Sequence, residues 1–146
     1  MRKAYSVSAE ALESFFSLRP MLALTYLNLD ECVNMNDSVL VTVATNCPNL
    51  LRFSANWCQQ LQSIGVKSVL SICRKLLKLR LIGIRRLPDE AFLGFLPPLS
   101  APSALSNLRK LDLEACNIVS DDLLSRVKAT FPHITIIDYF KNEVTL

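Results

Sequence analysis

The stretch Leu24–Cys32, LTYLNLDEC, constrains this chain most, because its form L-x-x-L-x-L-x-x-C returns at a fixed spacing. Leu24, Leu27, Leu29 and Cys32 are followed twenty-six residues on by Leu50, Phe53, Ala55 and Cys58. A further twenty-six gives Leu76, Leu79, Leu81 and Ile84. The next displacement is thirty-two, to Leu108, Leu111, Leu113 and Cys116, and twenty-six more gives Ile134, Ile137, Tyr139 and Asn142. Five units therefore keep one register with a single six-residue insertion. Self-similarity at such a period marks a repeat array.

The remainder of each unit repeats as well. Met35, Leu61, Leu87 and Val119 share a column, and two residues later stand Asp37, Ser63, Asp89 and Asp121, residue types that cap helix N-termini. Leu40, Val66, Phe92 and Leu124 follow on a helical face, then Cys47, Cys73, Leu105 and Phe131. Pro48 and Pro132 come where a helix should stop. Each unit thus reads as a short strand, a turn and a helix. One unit has too little apolar surface to fold alone, so stacked units must share a core. Alternation along the strand sends Leu27 and Leu29 inward and Tyr26, Asn28 and Asp30 outward. The expected architecture is α/β: a curved leucine-rich-repeat solenoid, parallel strands on its concave face and helices on its convex face. It forms one domain over 1–146, with a partial unit over about 1–23 and units starting near 24, 50, 76, 108 and 134.

Ser8–Phe16 reads as a helix capped by Ser8, with Ala11, Leu12, Phe15 and Phe16 as its apolar face. No strand motif precedes it, so the chain begins inside a repeat; a fragment of a longer protein is favoured over a makeshift cap. Gly65, in the first turn of the second helix, costs only helix propensity. Leu87–Leu96, LPDEAFLGFL, looks like the opening of an F-box, but Leu87, Asp89 and Phe92 sit in repeat register, which rejects that reading. Pro97–Ala104 carries three prolines and is expected to be an irregular loop on the convex side or rim. The tail KNEVTL is too short for a helix, and Lys141 and Glu143 are placed to blunt the sheet edge.

With 51% hydrophobic residues the chain can fill a sizeable core. A net charge of +3 without a basic run does not imply nucleic-acid binding. No apolar run reaches membrane-spanning length, and the first residues lack the apolar core of a secretory signal. Five cysteines, an odd number without such a signal, imply reduced thiols and a cytoplasmic or nuclear location. Cys32, Cys58 and Cys116 occupy one repeat column and Cys47 and Cys73 another, so packing accounts for them, their thiols reaching loop carbonyls. Their spacing and the lone His133 argue against zinc. Asp89–Glu90 and Asp121–Asp122 serve helix starts, and no phosphate loop or nucleophile–base pair is present. No catalytic, metal or cofactor site is expected, and neither is enzyme activity.

What remains is a binding surface. The outward columns read Tyr26, Arg52, Lys78, Lys110, Ile136; then Asn28, Ser54, Arg80, Asp112, Asp138; then Asp30, Asn56, Ile82, Glu114, Phe140. The eighth position adds Glu31, Trp57, Gly83, Ala115 and Lys141. Arg52, Lys78, Arg80 and Lys110 make a basic centre flanked by acids, with Trp57 at its rim beside Arg85 and Arg86. Trp and Arg are frequent interface anchors. A basic centre suits a protein partner with an acidic or phosphorylated segment.

CPNLLRFSANWC and LRKLDLEACNIVSDDLL resemble the cysteine-containing class of leucine-rich repeats, typical of F-box/leucine-rich-repeat proteins, over roughly residues 21–140. The resemblance implies substrate recognition for a cullin-type ubiquitin ligase. The sequence in hand lacks an F-box, so this chain would hold a target without docking on the ligase. A repeat scaffold or inhibitor-type module unconnected with ubiquitin is the alternative.

Overall fold

The computed structural model describes residues 7–146. The reading of the first residues as no secretory signal, and the start of the partial unit, fall partly outside this range. Five three-residue strands, β1 Tyr26–Asn28, β2 Arg52–Ser54, β3 Lys78–Arg80, β4 Lys110–Asp112 and β5 Thr135–Ile137, form one sheet in sequence order, every pair parallel. Helices α1 Ala9–Ser17, α2 Asp37–Asn46, α3 Ser63–Ile72, α4 Glu90–Leu93 and α5 Asp121–Thr130 alternate with them. Helix α1 packs on α2, α2 on α3, and α3 on both α4 and a 3-10 turn at Ala104–Ser106. The order strand, turn, helix recurs as the period requires, and each element touches its neighbours in the stack.

The apolar columns form one continuous core. Leu27, Phe53, Leu79, Leu111 and Ile136 lie side by side across the sheet, and Leu29, Ala55, Leu81 and Leu113 form the next row, all buried. Leu40, Val66, Phe92 and Leu124 close the core from the helices. Helices α2 and α5 stop one residue before Cys47 and Phe131, whose followers are Pro48 and Pro132. Leu87 and Phe92 are fully buried in repeat register, so the F-box-like stretch is an ordinary third unit. Its helix is cut to four residues by the insertion, whose ends drop Phe95, Leu96, Ala104 and Leu105 back into the core.

Five expectations are corrected. The fifth unit slips by one: Ile136, not Ile137, pairs with Leu111, and Thr135 stands beside Lys110. Both isoleucines are apolar, so pattern alone could not choose between registers. Ile134 is also buried, which leaves one residue fewer between it and the inward position than in the other units. Two helix caps lie one residue early: Asn36 and Ser120 accept from the N–H groups of Val39 and Leu123, while Asp89 does stand at the N-cap of α4 without a capping bond from its side chain. The Asp column instead staples units together. Asp37 Oδ1 accepts Gln62 N–H at 2.8 Å, and Asp89 accepts Ser120 N–H at 2.8 Å and Ser120 Oγ–H at 2.6 Å. In α1, capped by Ser8 as expected, Leu12 and Phe16 are buried but Ala11 and Phe15 face solvent. Gly65 does more than weaken a helix, since a Cβ there would stand 2.8 Å from Asp37 Oδ1 and 3.2 Å from Asp37 Cα. Its bare backbone lets α3 approach α2. Outward residues Asp30, Ser54, Asn56 and Asp112 are buried.

The tail folds back along β5. Ile137 bridges Glu143 in antiparallel sense, Val144 N–H donates to Ile136 O, and Asp138 N–H donates to Asn142 O. This occupies part of the last strand's open edge.

All five cysteines are buried and reduced. Cys58 Sγ donates to Leu29 O at 3.1 Å, Cys116 Sγ to Leu81 O at 2.9 Å and Cys73 Sγ to Cys47 O at 3.4 Å, each reaching the preceding unit. Ile84 fills the same place as a pure hydrophobe. Burial pushes the Cys58 and Cys73 thiols up to about 12 and Cys116 up to about 11, from an ordinary 9.0. These thiols should therefore resist a thiol-specific chromophoric reagent at neutral pH in the native chain and react fully in urea. Above pH 9 the unfolded chain releases protons that the folded one keeps, so stability falls as pH rises towards 11–12. The slope is about 1.4 kcal/mol per pH unit for each thiol, measurable by urea melts of the chain against Cys58→Ala. Native labelling as fast as in urea would contradict this account.

Candidate partner-binding surface

Register builds the surface. Tyr26, Arg52, Lys78 and Lys110 stand side by side in one row, ending at Thr135. Adjacent strands lie about 4.8 Å apart, so three cations crowd in succession. Like charges directly opposite each other on a sheet repel. Arg52 is exposed and Lys78 and Lys110 are half-buried. Among the described residues, Arg80 alone of the four basic residues has an ion-pair partner: its Nε lies 3.8 Å from Asp112 Oδ2. Arg80 belongs to the neighbouring row with Asn28, Ser54, Asp112 and Ile137.

The structure brings Arg52, Lys78 and Arg80 together. With Tyr26, Asn28, Phe53 and Ser54 they line one shallow concavity of about 130 Å³. Lys110 continues the cationic row beyond it. The acids thought to flank the basic centre do not oppose it as free charges. Asp30 accepts Ser54 Oγ–H, and its Oδ1 accepts Asn56 N–H at 2.9 Å. Asn56 Oδ1 in turn accepts Ile82 N–H at 2.8 Å, so these buried groups bind three successive units. The sequence reading missed this ladder. Its only trace was the recurrence of short polar residues at the third outward column.

Trp57 sits apart from the concavity. The parallel ladder runs past β2, with Ala55 N–H donating to Arg80 O and Trp57 N–H to Ile82 O. Trp57 then turns with φ 63°, as Glu31, Gly83 and Ala115 do at the same place in their units, with φ 59°, 73° and 59°. Trp57 as a residue is 43% exposed. One face of its ring lies on Gly83, where a Cβ would fall 2.1 Å from Trp57 Cε3. Gly83 is therefore needed for the ring's position as well as for its own φ. Gln59 Nε2 donates to Gly83 O at 2.7 Å and Gln59 Oε1 accepts Arg85 N–H at 3.3 Å, which fixes the loop carrying exposed Arg85 and Arg86. His133 is exposed, its Nε2 lying 3.1 Å from Leu105 O.

The fold is that of a leucine-rich-repeat solenoid. It is similar to a chain in the crystal structure of the Rad7 and Elc1 complex in yeast, with a TM-score of 0.74 and 21% identity, covering 93% of this chain. The matched region is 31% of that chain's length. No family model and no curated protein matches this sequence. At this identity the likeness carries the fold, and the surface must be argued from its own residues.

Among the described residues no group of His, Cys, Asp and Glu converges as a metal site, and no helix is long and apolar enough to cross a membrane. The strand face presents a row of cations beside a polar floor of Asn28 and Ser54.

Proposed function

We propose that this chain is a protein-recognition module that holds an acidic or phosphorylated segment on its strand face. We further propose that it does so as the substrate-recognition repeat region of an F-box-type cullin ubiquitin ligase. The observation that carries the recognition reading is the row Arg52, Lys78, Lys110, three cations on adjacent strands without ion-pair partners among the described residues. A fold gains nothing from such a row, whereas an anionic partner removes the repulsion. The ligase reading rests on the cysteine-bearing repeat pattern and is supported by the likeness to a chain of a protein complex. In this reading the chain has no catalytic role and works in the cytoplasm or nucleus.

The recognition reading is tested with a poly-glutamate peptide titrated at rising salt. Binding should weaken with ionic strength, because exposed charges are screened. The pair Arg52→Glu with Arg80→Glu should abolish it, while Arg126→Glu on the exposed face of α5 leaves it intact. Unchanged binding by the pair, or loss in the control, would contradict the strand face as the site. The ligase reading is tested by reading the frame upstream of Met1. An F-box there is expected; further repeats without one would favour a scaffold.

A further inference from the structure

We infer that the strand face reads a phosphorylated linear segment at two points: a phosphoserine or phosphothreonine on the Arg52–Lys78–Lys110 row, and a large apolar side chain about five residues away on Trp57. This rests on the reading of that face as a site for acidic or phosphorylated segments, and it names the ligand's chemistry and spacing.

Spacing favours phosphate over carboxylate. The three cations recur at about 4.8 Å, the distance between strands, whereas carboxylates on one face of an extended peptide recur at about 6.6 Å. A run of acids would therefore fall out of step with the row. A single carboxylate brings one charge. A phosphate monoester brings about −1.5 to −2 and three acceptor oxygens, so one group can bridge neighbouring cations and cancel most of their repulsion. Arg80 is already drawn to Asp112, which leaves Arg52 and Lys78 as the free walls of the concavity. Its volume of about 130 Å³ suits a compact headgroup, and the polar residues Asn28 and Ser54 are in its lining.

The second point follows from distance. Pairing of the Ala55 and Trp57 N–H groups with Arg80 O and Ile82 O carries the ladder past β2 before the chain turns at Trp57. Five residues at no more than about 3.3 Å each put Arg52 and Trp57 at most about 16 Å apart along the chain. No single residue spans that gap, but a segment of similar length does. Trp57 is prepared for contact: one indole face is held against Gly83, and 43% of the residue stays exposed. A ring already fixed loses little entropy when an apolar side chain covers it. Arg85 and Arg86 stand exposed in the adjoining loop, where further acids of the segment would meet them.

Trp57 is the sole tryptophan, so intrinsic fluorescence reports on it directly. The probes are synthetic Gly/Ser peptides with one phosphoserine and one leucine about five residues after it, or before it. One order should bind and shift Trp57 emission. Glu for phosphoserine should weaken binding about tenfold or more, since it supplies less charge and fewer oxygens. Ala for leucine, or leucine moved next to the phosphoserine, should abolish the emission shift and weaken binding. If the Glu peptide binds as tightly, yet is lost with Arg52→Glu and Arg80→Glu, the phosphate inference fails while the acidic-segment reading stands. If the leucine position makes no difference to binding or emission, the two-point geometry fails. If no peptide binds, or if a single-stranded oligonucleotide or an anionic phospholipid vesicle binds more tightly through the same arginines, both readings fall.

Discussion

Replacing Leu79 with alanine is expected to destabilise the chain by about 2–5 kcal/mol, seen in urea melts as a lower midpoint with little change in slope. Leu79 is 1% exposed on β3, the middle strand, and lies in register between Phe53 and Leu111. Truncation removes apolar area from the core and leaves a cavity walled by two neighbouring units. Those walls are held by their own strands and helices, so the site collapses little, and the loss belongs in the upper half of the range. A solenoid unit depends on its neighbours, so a loosened centre weakens both flanks. Leu99→Ala, at a residue 73% exposed in the insertion, should change stability by no more than about 0.5 kcal/mol. A Leu79→Ala loss as small as that of Leu99→Ala would remove Leu79 from the core and break the assignment of the inward column.

The fold was legible because a repeat constrains the same position several times. One leucine at an inward place is weak evidence; Leu27, Phe53, Leu79 and Leu111 at a common phase are strong, and they pair as the spacing requires. The weaknesses lay where the repeat breaks or where polarity misleads. At β5, Ile136 and Ile137 are equally apolar, so the sequence offered two phases and the pairing with Leu111 chose the other. At the helix starts, Asp37 and Asp89 have capping chemistry but spend it on the next unit. A contact about one period away in sequence leaves no local signal. Gly65 and Gly83 show the same limit, since each is glycine because of a neighbour, Asp37 in one case and Trp57 in the other.

The candidate surface was legible as a set of charges but not as a shape. Column reading placed Arg52, Lys78 and Lys110 in one row, which the register reproduces. It also placed Trp57 at the rim, but as the anchor of the same patch. Arg52, Lys78 and Arg80 share a concavity whose lining does not include Trp57. The continued pairing beyond β2 and the positive φ at Trp57 separate the two features, because the indole leaves the sheet at a turn. Alternation alone counted Asp30 and Asp112 as surface acids. The Asp30 carboxylate is turned to donors on the next unit and that of Asp112 to Arg80 on the preceding one, which changes the net field at the strand face.

Asp30→Ala should cost about 3 kcal/mol, although the residue stands in a column that alternation assigns to solvent. Asp30 is 5% exposed. Its carboxylate accepts the Ser54 hydroxyl, the Asn56 N–H at 2.9 Å and the Asn56 Nδ2 at 3.4 Å. Alanine leaves the hydroxyl and the backbone N–H buried without that acceptor, at about 1–3 kcal/mol each. The weak amide contact adds little, and some relaxation towards water reduces the sum. Asn56 passes the constraint on, since its Oδ1 holds Ile82 N–H at 2.8 Å. The loss should therefore reach the third unit, with faster hydrogen exchange at the amides of both Asn56 and Ile82. Ser54→Ala removes one donor and leaves the carboxylate its remaining bonds, so it should cost only about 1 kcal/mol. Asp30→Asn keeps one acceptor oxygen and should fall between the two. If Asp30→Ala melts within about 0.5 kcal/mol of the parent chain, the usual range for a plain surface change, the polar ladder is not what joins these units.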